Sequence, residues 1–136
     1  MKTLLSLTIV VFSLFVNTSQ AQQEYTVDGK QYTLLAEIEG PLTLLWNSID
    51  GEYRYFLKKG DAILELKNTK INGTYQEEYK ETLRLQTADA AAPVSKLKFT
   101  LPGLSSFFVD YNKSVDSNYN HETTAIQLKT RLGAFA

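Results

Sequence analysis

Cysteine is absent from the 136 residues, and there is a single histidine. The first absence excludes disulfides, cysteine-ligated zinc, thiol nucleophiles and lipid attachment through an N-terminal cysteine. Small extracellular domains of eukaryotes often depend on disulfides, so a cysteine-free chain, were it exported, would fit a bacterial periplasm or outer surface. Charge of one sign is lacking too: 14 Lys and Arg stand against 15 Asp and Glu, a net charge of −1. No basic field exists to attract nucleic acid or an anionic surface, so nucleic-acid partners are excluded. No G-x-x-x-x-G-K-[ST] loop is present to cradle phosphates, so no nucleotide is expected. No glycine-rich dinucleotide loop and no G-x-S-x-G elbow occur either. A run of roughly 20 apolar residues, enough for a spanning helix, is also missing.

The longest apolar run is residues 4–16 (LLSLTIVVFSLFV), behind Lys2 and ahead of Ser19-Gln20-Ala21. A short positive start, an apolar core and small residues at the −3 and −1 positions make a secretory signal peptide. The expected division is therefore a signal peptide over 1–21, a periplasmic domain over 22–122 and a distinct terminal segment over 123–136.

After the signal peptide the pattern is β. Tyr25, Val27, Tyr32 and Leu34 alternate around Asp28-Gly29, and a second hairpin surrounds Asp50-Gly51. Asp-Gly between alternating apolar residues signals a type I′ turn, which needs positive φ at both central positions. Gly60-Asp61 turns the chain again into Ile63-Leu64-Glu65-Leu66, and Pro41 belongs at a strand start or sheet edge. Tyr53, Tyr55 and Leu57 share one apolar face, with Arg54, Phe56 and Lys58 opposite. Trp46, Tyr53, Tyr55 and Phe56 form a candidate interaction surface, against the alternative that the aromatic stripe is core.

Past Asn72-Gly73 the period changes. Tyr75, Tyr79 and Leu83 recur every four residues, which predicts an amphipathic helix of about three to four turns. Glu77, Glu78 and Glu81 read as a solvated face with helical ion pairs. Thr100 ahead of Leu101-Pro102-Gly103 predicts the start of a second helix over 102–113. Its apolar stripe is Leu104, Phe107, Phe108, Tyr111 and Val115. The fold class is then α+β: a small antiparallel sheet of β-hairpins covered by two amphipathic helices and ending in a long amphipathic strand.

That last segment, residues 124–136 (TAIQLKTRLGAFA), alternates over more than ten residues. Ile126, Leu128, Leu132 and Ala134 line one face and are candidate lipid-facing residues; Gln127, Lys129 and Arg131 line the other. A membrane-spanning β-strand needs about 9–11 residues of this kind. Such a strand cannot cross lipid alone, because its edges would be unpaired. It either starts a barrel or completes the domain's own sheet.

Three stretches resemble a known family. They are Glu39-Gly40-Pro41-Leu42-Thr43-Leu44, the strand from Tyr53 to Gly60, and Ile63-Leu64-Glu65-Leu66. Two helical patterns accompany them: Tyr79, Leu83 and Asp89, then Leu104, Phe107, Phe108, Tyr111 and Asn112. Together they resemble the soluble N-terminal region of outer-membrane β-barrel proteins of Bacteroidota type. The resemblance implies a periplasmic accessory domain that enters a barrel through a strand such as 128–135. Many of those proteins carry cysteine in or after the two helices, and this chain has none.

Chemistry-bearing groups are sparse. His121 beside Glu122 offers one ligand pair at most, so no metal is expected. Ser105-Ser106 lacks an elbow, and Asp110 and Asp116 lack any sign of a cleft. No catalytic residue and no cofactor are expected. The functional expectation is a non-catalytic envelope domain with a protein or cell-envelope partner. The alternatives are a free periplasmic binding module and, further off, a secreted hydrolase.

Overall fold

The computed structural model describes residues 22–121. The expected signal peptide and the expected terminal strand with Ile126, Leu128, Leu132 and Ala134 lie outside the described residues. The elements in chain order are β1 (Gln23–Val27), β2 (Lys30–Ile38), β3 (Thr43–Ile49), β4 (Glu52–Lys59) and β5 (Ala62–Leu66). A small ribbon follows, β6 (Lys70–Ile71) and β7 (Thr74–Tyr75), then helices α1 (Glu78–Gln86) and α2 (Leu101–Val115). The five long strands make one antiparallel sheet in the order β1-β2-β3-β4-β5. The fold is α+β, a curled half-barrel sheet plus two helices. Among the described residues, no helix is long and apolar enough to cross a membrane.

Local chemistry sets the hairpins. Asp28 and Gly29 have φ of 50° and 79°, and Asp50 and Gly51 have 54° and 81°. Both pairs thus meet the positive-φ demand of a type I′ turn. β2 carries the curl. Its first half pairs with β1 and its second half, from Leu35, pairs with β3. Where β2 and β3 part, the Asn47 amide takes over: Nδ2 donates to the Thr33 carbonyl (2.7 Å) and Oδ1 accepts from the Ser48 N–H (2.8 Å). A bulge between Ala36 and Ile38 inserts one extra residue. Leu34 and Ile38 would share a face in a regular strand. The bulge sends them to opposite faces, and both are buried.

The sheet is therefore apolar on both sides, not on one. Its outer face, under the helices, holds the main core: Ile38, Leu44, Tyr55, Leu57 and Leu66 meet Tyr79 and Leu83 of α1 and Leu104, Phe107, Phe108 and Tyr111 of α2. The inner face closes on Val27, Leu34, Leu45 and Phe56, with Tyr25, Tyr32 and Ile63 around them. The second core exists because the curl brings β1 back against β5. Each fully buried Leu or Phe contributes roughly 1.5–3 kcal/mol.

Both helices occur, with one correction. Thr100 caps α2: its hydroxyl accepts from the Gly103 N–H (3.1 Å), and Pro102 sits in the first turn. α1 is shorter than the four-residue spacing predicts. Tyr75 lies in β7, not in the helix, because Asn72 and Gly73 (φ 51° and 80°) form another tight turn that folds residues 70–75 into a ribbon. Glu77 precedes the helix in a left-handed conformation (φ 53°).

Candidate functional site

The four aromatic residues expected to share a surface are divided among three environments. Phe56 is fully buried on the inner face, 5.1 Å from the Tyr32 ring. Tyr55 is buried on the outer face, edge-on to Phe99 at 5.0 Å. Burial, and then the neighbouring Tyr53, push the Tyr55 phenol above its usual value, while the Leu101 backbone acts in the opposite sense. These two side chains are core. Trp46 is half-buried and leans on Tyr53 at 5.4 Å, and Tyr53 itself is 59% exposed. Of the four, only this pair offers aromatic surface to a partner.

On the inner face, Arg54 grips Glu65 with two charge-assisted bonds of 2.7 Å, from Nε and Nη2. Its guanidinium also stacks over Tyr32 (5.1 Å) and Phe56 (5.8 Å). A planar fork that pairs and stacks at once suits arginine and not lysine. The bond to Glu65 raises the Arg54 pKa further, so the guanidinium stays charged. Its chemical role is to lid the small core.

The densest polar geometry joins α2 to the loop between β2 and β3. Asn112 is fully buried. Its Oδ1 accepts from the Leu42 N–H (2.8 Å) and its Nδ2 donates to the Leu42 carbonyl (2.9 Å). The amide thus replaces a missing strand partner for Leu42. Tyr119 adds a bond from its hydroxyl to the Glu39 carbonyl (2.9 Å). Gly40 makes this approach possible: a Cβ there would lie 2.6 Å from both Asn112 Nδ2 and Tyr119 Cε1. One position before Asn112 on α2, the Tyr111 hydroxyl donates to the Asp89 carboxylate (2.9 Å). Lys59 donates to the Gln86 carbonyl (2.7 Å), stands 3.8 Å from Asp89 and lies over the Tyr111 ring at 5.5 Å. The Tyr79 hydroxyl donates to the Leu97 carbonyl (2.8 Å). Leu42, Leu44, Tyr55, Leu57, Leu66, Tyr79, Leu83, Tyr111 and Asn112 of the family-like patterns thus lie together under the helices, whereas Arg54, Phe56 and Glu65 lie on the inner face and Tyr53 is exposed.

Sequence reasoning missed the partners of this clamp. Asn112 on an apolar helix stripe was the visible signal, since a buried amide must find both donor and acceptor partners. The acids expected on α1 behave as surface pairs: Glu77 with Lys80 at 2.7 Å and Glu81 with Arg84 at 2.6 Å. Arg84 lowers the Glu81 pKa, and bonding to Thr69 lowers that of Glu78. Asp110 is exposed on α2, whereas Asp116 follows the helix and accepts from the Asn118 N–H (3.0 Å). Six positions along a helix do not stack two side chains on one face. Among the described residues, no group of three His, Cys, Asp or Glu side chains could hold a metal ion. No family model, curated protein or solved structure matches the chain.

Proposed function

We propose that the chain is a non-catalytic exported domain of the cell envelope, the periplasmic accessory part of an outer-membrane β-barrel protein. One observation carries the reading. Most of the apolar residues that resemble that family come from separate segments and meet in the core beneath the helices, with Asn112 locked onto Leu42 across 70 positions of chain. A pattern spent largely on holding two helices to a curled sheet suits a presenting or docking module. The secretory pattern of residues 1–21 supplies the route out of the cytoplasm, and the alternation of 124–136 supplies the link to a barrel.

The exposed Tyr53 beside Trp46 favours a second reading, a free periplasmic binding module. Fractionation of the expressed full gene separates the two. Retention with the outer membrane after an alkaline carbonate wash supports the barrel-linked domain. Complete release by osmotic shock supports the free module, and recovery of the whole product from the cytosol overturns both.

A further inference from the structure

The β6–β7 ribbon stands apart from both cores. Residues 69–77 are all exposed, including Ile71 at 53% and Tyr75 at 56%. An isolated two-stranded hairpin is marginal in water, yet this one is braced at its base. The Gln76 N–H donates to the Thr69 carbonyl (2.8 Å), the Glu77 N–H to Asn68 Oδ1 (3.0 Å) and the Tyr79 N–H to the Lys67 carbonyl (2.8 Å). The Thr69 N–H and hydroxyl both donate to the Glu78 carboxylate. The finger is thus held in a fixed shape while its apolar side chains meet solvent.

The register limits what can cover it. Lys70 pairs with Tyr75 and Ile71 with Thr74, so the tyrosine and the isoleucine point to opposite faces of the ribbon. Lys70 lies over the Tyr75 ring at 5.3 Å. A flat protein surface could cover only one face, whereas a bilayer surrounds a finger on every side. Within 70–76 there is a lysine and no carboxylate, in a chain whose net charge is −1. The nearest acids are already engaged, Glu77 with Lys80 and Glu78 with Thr69. Tyrosine and lysine are the side chains that settle at the headgroup level. The ribbon's outward backbone groups keep it out of the hydrocarbon, where they would go unpaired.

We infer that the β6–β7 finger is a contact for the bilayer interface, with Ile71 and Tyr75 entering the headgroup region and the Lys70 ammonium reaching a lipid phosphate. The inference rests on the envelope reading, which puts a bilayer within reach of the domain. The natural absence of cysteine allows a clean test. The full chain carries Thr74→Cys, or Asp61→Cys at the far end of β5, as its only cysteine, labelled with an environment-sensitive fluorophore. Vesicles of phosphatidylethanolamine and phosphatidylglycerol are then added. The label at 74 is expected to shift to the blue while that at 61 stays unchanged. Adding Ile71→Ser and Tyr75→Ser should raise the lipid needed for half the shift about tenfold. Ile71→Phe, which leaves the backbone pairing intact, should lower it. The inference is overturned if position 74 does not respond, if both positions respond alike or if the serine variant binds as well as the parent. It is overturned equally if the label at 74 becomes covered without lipid as protein concentration rises, which would assign the finger to a second copy. Because the vesicles are supplied, this result is independent of whether the chain is exported.

Discussion

Replacing Asn112 with alanine tests the packing account at its most exposed point. The substitution removes both bonds to Leu42 and leaves a buried N–H and a buried carbonyl facing an apolar methyl group. A buried polar group left without a partner costs about 1–3 kcal/mol. Two such groups, less some relief from an entering water, give a loss of about 2–5 kcal/mol. A domain of roughly 100 residues has about 5–15 kcal/mol in total, so the change removes a large share of it. Urea unfolding is followed through Trp46, the single tryptophan. With a slope of about 1–3 kcal/mol per molar, the midpoint should fall by roughly 1–3 M. Lys113→Ala, at the exposed neighbouring position, should stay within about 0.5 kcal/mol of the parent. A loss below about 0.5 kcal/mol for Asn112→Ala would refute the clamp.

Gly40→Ala should cost about 1–3 kcal/mol through overpacking, and less in the Asn112→Ala background; calorimetry of the double-mutant cycle reads the coupling. Thr100→Ala should cost about 1 kcal/mol by uncapping α2, measured by the same urea titration. Tyr55 and Tyr79 have phenols raised above the free value, first by burial. Their contribution is complete below the unfolded pKa of about 10 and is lost as pH rises through the folded values. An absorbance titration should show these two phenols lagging until the protein unfolds.

Legibility in the sequence followed the range of the interaction. The turns at Asp28-Gly29 and Asp50-Gly51 are decided by adjacent residues, and so is the start of α2 at Thr100 and Pro102. All three were readable. Tyr75 was misread because its spacing to Tyr79 and Leu83 is helical, while the Asn72-Gly73 turn ahead of it takes the residue into a ribbon. The inner core was missed because Arg54, Phe56 and Lys58 alternate like a solvent face. Only the curl, helped by a bulge that carries no glycine or proline mark, turns that face inward. The clamp showed one half of itself: an amide stood on an apolar stripe, but nothing local names Leu42 or Gly40 as its partner.

Export is the claim on which the envelope role stands, and the N-terminal residue of the protein recovered from cells tests it most directly. Mass spectrometry of the product expressed in a bacterium with an outer membrane should find cleavage after Ala21, with Gln22 as the first residue, in the envelope fraction. A product that keeps residues 1–21 and resides in the cytosol would contradict the account.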